Sequence, residues 1–105
     1  MLTTITARHC ALTDALEERT REIMTRASEL APRPLSFAVV FDIDGSDHTV
    51  EFRLHISRGD IFVARGEGPD HRTALDRAEE RLRRQIESAT GRGRRTRHQT
   101  EAPAT

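Results

Sequence analysis

The chain contains no lysine, so all seventeen of its basic residues are arginine. Arginine's planar fork binds phosphate bidentately and stacks on bases, which a point-charge ammonium does not do. There is a single cysteine, Cys10. That excludes an internal disulfide and a thiolate metal cage, and Cys10 reads as a small buried apolar residue. No apolar run approaches the roughly 20 residues that a membrane-crossing helix needs. The opening MLTTITARHC has no long apolar stretch behind a basic start, so it does not read as a signal peptide. A cytoplasmic location with no membrane partner is the expectation. A G-x-S-x-G elbow, a P-loop and a dinucleotide fingerprint are all missing, and Gly66-Glu67-Gly68 stands alone. His48, His55, His71 and His98 show neither H-x-x-x-H nor HExxH spacing. Asp42, Asp44 and Asp47 read as turn formers rather than an acidic dyad. No catalytic residue, metal or cofactor is therefore expected, and an enzyme is the least favoured class.

What is present is a charge dipole. Residues 81–105 hold seven arginines against two acids, a net +5. Residues 1–80 hold ten against fifteen, a net −5. The formal charge of zero hides this asymmetry. A helix end and tail so rich in guanidinium is a candidate surface for phosphate, and so for nucleic acid.

At 105 residues the chain is long enough for one domain with a modest core. Residues 1–90 should form the body, and 91–105 an Arg-rich tail that is disordered when free. Leu2 to His9 is threonine-rich and reads as a strand. Thr13 is the expected N-cap of a helix with apolar stripe Leu16, Thr20, Ile23, Ala27 and Leu30, stopped by Pro32 and Pro34. Two alternating strands follow. One carries Leu35, Phe37, Val39, Phe41 and Ile43 inward, the other Val50, Phe52, Leu54 and Ile56. Asp44-Gly45-Ser46-Asp47 joins them as a hairpin. Ile61 to Ala64 reads as a short fourth strand, and Gly66, Gly68 and Pro69 as the break after it. Asp70 is the expected N-cap of the last helix, with stripe Leu75, Ala78, Leu82, Ile86 and Ala89 and Gly91 as its C-cap. The resulting β-α-β-β-β-α order predicts an α+β two-layer sandwich: a four-stranded mixed sheet with both helices on one face. Its α-β-β-β-α part shares the element order of a double-stranded-RNA-binding domain.

Two blocks carry a family resemblance. The first is Ile5-Thr6-Ala7-Arg8-His9-Cys10-Ala11-Leu12-Thr13-Asp14-Ala15-Leu16. The second is Gly68-Pro69-Asp70-His71-Arg72-Thr73-Ala74-Leu75-Asp76, followed by Arg81-Leu82-Arg83-Arg84-Gln85-Ile86. In order and spacing they resemble the ribosome hibernation-promoting factors, also called the ribosome-associated inhibitor or sigma-54 modulation family, over about residues 3–90. The sequence departs from the family pattern at His71-Arg72, where a Met-Tyr pair is usual, and at Ser88 and Thr90, where lysines are. The resemblance implies a short-form translation inhibitor. It would bind the small ribosomal subunit and its rRNA in the mRNA and tRNA channel near the decoding region. It would promote ribosome hibernation under stress or in stationary phase, with a separate ribosome modulation factor as the partner for ribosome pairing. The free protein is expected to be a monomer.

The candidate rRNA-binding residues are Arg8, His9, Arg26, Arg77, Arg81, Arg84, Arg92, Arg94 and Arg95. Arg77, Arg81 and Arg84 lie at spacings of four and three and share one helix face, with Arg83 off that stripe. The competing reading of this face is a solvated, ion-paired surface, since Glu79, Glu80 and Glu87 are interleaved with it. For His9 it is a strand-end histidine with local hydrogen bonds. Two other functions stay open: a general structured-RNA-binding regulatory module, and a protein-interaction domain that uses the acidic body.

Overall fold

The computed structural model describes residues 1–95. The elements are β1 (Leu2–Ala7), α1 (Asp14–Leu30), β2 (Pro34–Asp44), β3 (Asp47–Ile56), a 3-10 turn at Ser57–Gly59, β4 (Ile61–Gly68) and α2 (His71–Arg95). They form one sheet in the order β1-β2-β3-β4. β1 is parallel to β2 because α1 carries the chain back between them, and both later pairings are antiparallel. This is the α+β sandwich that the hydrophobic periodicity predicts.

Local chemistry accounts for the boundaries. Thr13 is extended and its hydroxyl accepts the Leu16 amide at 3.1 Å, which caps α1. The β2–β3 hairpin turns on Gly45 and Ser46, with Asp44 paired to Asp47. Gly45 has φ +63°, so the first central position needs a residue free of the Cβ penalty. Phe37, Val39 and Phe41 of β2 interdigitate with Val50, Phe52 and Leu54 of β3, all essentially inaccessible to water. Ile23, Met24 and Ala27 of α1 and Ala74, Leu75, Ala78, Leu82 and Ile86 of α2 close over them in a single core.

The structure corrects several expectations. Leu35 is 55% exposed rather than inward, because a β-bulge between Pro34 and Ser36 takes it out of the alternation. Leu30 is also exposed, as is Ala89 at the far end of the α2 stripe. Cys10 is only half-buried. Asp42 lies within β2 rather than in the turn and accepts the Ile43 amide at 2.7 Å.

The larger correction concerns β4, which runs on to Gly68 instead of ending at Ala64. Its inward face is Phe62, Ala64, Gly66 and Gly68, opposite Leu54, Phe52, Val50 and His48. The two glycines are not a break. A Cβ on Gly66 would lie 2.2 Å from the Ala74 carbonyl oxygen and 2.5 Å from the Ala78 nitrogen. The bare backbone at Gly66 is what lets α2 lie on β4.

Gly91 is likewise not the C-cap, since α2 continues through it to Arg95. No proline intervenes, and propagation adds one hydrogen bond for each residue fixed, so arginines carry the helix past two glycines. At 1.5 Å per residue α2 is about 37 Å long, against about 27 Å for the eight residues of β4. The helix therefore outruns the sheet beyond Ala89, which comes level with the start of β4 at Ile61 and is itself exposed. The side chains of Arg92, Arg94 and Arg95 lie outside the described residues, and so does the rest of the expected tail, 96–105.

Asp70 caps α2 by accepting the Thr73 amide at 2.7 Å. That amide, and then the Thr73 hydroxyl, hold the Asp70 carboxyl below its ordinary 3.8. A carboxyl depressed on folding stabilises the fold above the unfolded-state pKa, and the contribution is lost as pH falls through the lowered value. Asp70→Asn keeps a capping oxygen but not the charge. Its Tm deficit relative to wild type should be widest above about pH 5 and close toward about pH 2, followed by circular dichroism melts. An equal deficit at both ends would contradict the charged cap.

Candidate nucleic-acid interface

β4 is one of the two edge strands of the sheet, and an edge strand presents a row of unpaired backbone groups. α2 lies antiparallel against it. The Arg77 guanidinium donates to the Glu67 carbonyl oxygen at 2.6 Å, that of Arg81 to the Arg65 carbonyl, and the Gln85 amide to the Val63 carbonyl at 2.8 Å. Helix positions four apart rise about 6 Å, and strand positions two apart about 6.6 Å, so three successive donors meet three successive outward carbonyls.

This ladder changes what Arg77 and Arg81 are. Their partners are neutral carbonyls, so each keeps its full positive charge. A guanidinium has five N–H donors and spends only part of them here. The side chains are tied down yet solvent-facing, so little rotamer entropy is left to lose on meeting an anion. Arg84 shares their face but bonds to Glu80 at 2.6 Å, which offsets its charge.

α1 is different. Arg19 reaches Asp76 at 3.5 Å and Glu79 at 3.7 Å, Arg26 reaches Glu79 at 3.4 Å, and Arg21 pairs with Glu17 at 2.9 Å. The first three contacts stitch α1 to α2 across the top of the sandwich. Each such exposed pair is worth at most about 1 kcal/mol. They still neutralise the helix-one arginines, so Arg26 belongs to the inter-helix seam. Arg83 lines the groove beside that seam with Ile23, Leu30 and Leu82. Among the described residues Arg8, Arg33, Arg77, Arg81 and Arg83 form no ion pair.

Arg8 and His9 lie at the other end of α2. Arg8 donates its amide to the Phe41 carbonyl at 2.8 Å. His9, in the left-handed region at φ 59°, donates Nδ1–H to Asp42 Oδ1 at 3.0 Å. That bond, then the Ile43 amide, lowers the Asp42 pKa. His71 Nε2–H donates to the Asp42 carbonyl at 2.9 Å, which seats the first turn of α2 at this end of the sheet. From His71 to Arg92 the helix climbs about 30 Å. The candidates are therefore not one cluster. Arg8 and His9 mark one end, Arg77, Arg81 and Arg84 the middle, and the positions of Arg92, Arg94 and Arg95 the far end.

The sequence reading set Arg83 off the stripe and left Gln85 out of the candidate set. The i, i+4, i+8 run of donors Arg77, Arg81 and Gln85 was visible, but what it faces was not, because β4 was cut short.

The sequence model of the family described as Sigma 54 modulation protein / S30EA ribosomal protein matches residues 3–94. No curated protein sequence matches the chain. Among solved structures, a ribosomal subunit interface protein from Coxiella burnetii superposes with a TM-score of 0.74 at 18% identity, over 87% of this chain and 99% of that one. The N-terminal domain of Protein Y from Thermus thermophilus gives 0.72 at 23% identity, over 85% and 99%. At these identities the superpositions establish the fold, and it is the sequence match over nearly the whole described chain that establishes kinship: the chain belongs to the Sigma 54 modulation protein / S30EA ribosomal protein family.

Proposed function

We propose that this protein binds the small ribosomal subunit in the channel used by mRNA and tRNA near the decoding region, and holds ribosomes inactive under stress or in stationary phase. The observation that carries this is the family match over residues 3–94. The name of one structural relative, a ribosomal subunit interface protein, points the same way.

The chemistry fits a binder without a catalytic step. Folded RNA is read through shape, phosphates and 2′-hydroxyls, which suits a fixed array of guanidinium groups. Arg77 and Arg81 supply charged, pre-positioned forks; Arg84, paired with Glu80, and Arg92, Arg94 and Arg95, whose side chains lie outside the described residues, are the further candidates on this helix. Arg8 and His9 would touch the subunit at the opposite end. Arg26, tied to Glu79, has the weakest claim. Inhibition is then steric, by occupation of a site that mRNA and tRNA also need. A ribosome modulation factor is the proposed partner for any pairing of ribosomes. The neutralised α1 arginines favour a second reading, a general binder of structured RNA.

Co-sedimentation with vacant ribosomes through a sucrose gradient tests this. Comigration that is lost on adding mRNA and tRNA is the expected outcome. Comigration that survives the competitors would move the site out of the channel. Equal affinity for naked structured RNA would select the second reading.

A further inference from the structure

The two edges of the sheet are treated unlike. β4 has three successive outward carbonyls occupied by α2 side chains. β1, the other edge, has no such guard among the described residues. It is six residues long, LTTITA, and carries no charge, no proline and no bulge. Those are the devices by which natural sheets blunt an edge. Apart from Ile5, which is half-buried, every residue of β1 is exposed, Leu2 to 69%.

The parity of β1 follows from one bond. The Arg8 amide points to the Phe41 carbonyl of β2, so Leu2, Thr4 and Thr6 also turn their backbone groups inward to β2. Thr3, Ile5 and Ala7 then turn theirs outward.

We propose that β1 is a self-pairing edge, and that its partner is β1 of a second copy of this chain, antiparallel about a two-fold axis through Ile5. In that register the outward groups of Ile5 pair with those of the partner's Ile5, and Thr3 with the partner's Ala7 in both directions. This gives six backbone hydrogen bonds. On the open face of the sheet Thr4 stands opposite the partner's Thr6, a favourable β-branched cross-strand pair. A two-fold axis brings equivalent surfaces together, and the six residues of β1 carry no charge to repel their copies. At each end of the seam Met1 comes opposite the partner's His9, beside Arg8, so the ends add nothing to the pairing. Because the β4 edges of both copies stay guarded, the assembly closes at two chains and one eight-stranded sheet. A foreign strand would satisfy the same bonds without using this symmetry. The seam is smaller than a standard interface of about 800 Å² per partner, so the dimer is weak and concentration-dependent, in exchange with the monomer expected for the free protein.

The register makes a charge swap the decisive test, read by sedimentation equilibrium on the full chain up to millimolar concentration. Wild type is expected to double in mass with rising concentration, and the Thr3, Ile5 and Ala7 amides to gain hydrogen-exchange protection as it does. Thr4→Glu with Thr6→Glu places like charges opposite one another twice, and should raise the dissociation constant roughly tenfold or more. Thr4→Glu with Thr6→Lys places opposite charges there and should restore pairing. Both variants alter exposed side chains, and unchanged melting curves would show that the fold is intact. A strictly monomeric wild type would overturn the proposal. So would a dimer indifferent to both charge patterns, or one whose added protection falls on β4.

Discussion

Gly66→Ala is expected to lower the melting temperature by on the order of 15 °C, or to leave too little folded protein to purify. The added Cβ would meet the Ala74 carbonyl oxygen and the Ala78 nitrogen at distances no real Cβ adopts. Both are backbone atoms of α2, so trimming a side chain cannot make room. The helix must lift from β4, and Leu75, Ala78, Leu82 and Ile86, now essentially buried, must lift with it. Overpacking a tight core costs about 1–3 kcal/mol, and a rigid backbone contact belongs at or above the upper end. For a domain of this size each kcal/mol moves Tm by about 4–8 °C. Lifting α2 also pulls Arg77, Arg81 and Gln85 off the β4 carbonyls, so the packing and edge losses come together. Gly68→Ala is the internal control. Its added Cβ would come closest to the Thr73 methyl, at 2.9 Å, which can rotate. It would also lie 3.1 Å from Thr73 Cβ and 3.3 Å from the Ala74 nitrogen, contacts that a small shift of the helix relieves, so its deficit should be clearly smaller. Equal Tm values for the two variants and wild type, by scanning calorimetry, would refute this account of β4.

Arg77→Gln with Arg81→Gln is expected to weaken ribosome association on the order of tenfold at physiological salt while leaving the melting temperature nearly unchanged. Gln85 already shows that a glutamine amide at this pitch reaches an outward β4 carbonyl, here at 2.8 Å. The double substitution therefore retains a donor for each carbonyl and removes two uncompensated charges. Each lost phosphate contact reduces the salt slope of log K against log salt by about 0.7–0.9 units, so the double variant should lose about 1.5. Titration of labelled protein against vacant subunits at several salt concentrations gives both numbers. Arg77→Ala with Arg81→Ala should add a stability defect, because it opens the β4 edge as well. An unchanged slope in the glutamine variant with intact Tm would mean that Arg77 and Arg81 are structural guards alone, and the phosphate band would have to be sought in Arg83 and beyond.

These two experiments probe the places where sequence and structure part company. Helices and central strands were legible because their apolar residues repeat at 3.6 and at 2, and burial follows the repeat from Phe37 to Phe41 and from Val50 to Ile56. β4 was half legible because glycine erases the period-2 signal. The positions that matter most for seating α2 are the ones with no side chain to count. Leu35 was misplaced by a bulge, which shifts parity without changing composition. Gly91 looked like a cap because glycine ends many helices, yet the chain beyond it is still helical to Arg95. The basic face of α2 followed from spacing alone. Its partners could not, since the Arg81 acceptor lies 16 residues away on β4 and the Arg26 partner 53 residues away on α2. Spacing tells which side chains travel together, and only the fold tells what they meet.

The ladder between α2 and β4 also behaves as a vernier. Two rulers with divisions of about 6.0 and 6.6 Å lie side by side, and each rung adds about 0.6 Å of phase error. Hydrogen bonds tolerate only a few tenths of an ångström around their optimum, so flexible side chains absorb the drift across three rungs and would run out within a few more. A helix can thus guard a strand of about eight residues and not one twice as long. The same arithmetic forbids a one-residue insertion or deletion inside β4. Such a change would reverse the parity of everything beyond it, turning Gly66 outward, a bulkier neighbour toward α2, and the guarded carbonyls toward β3.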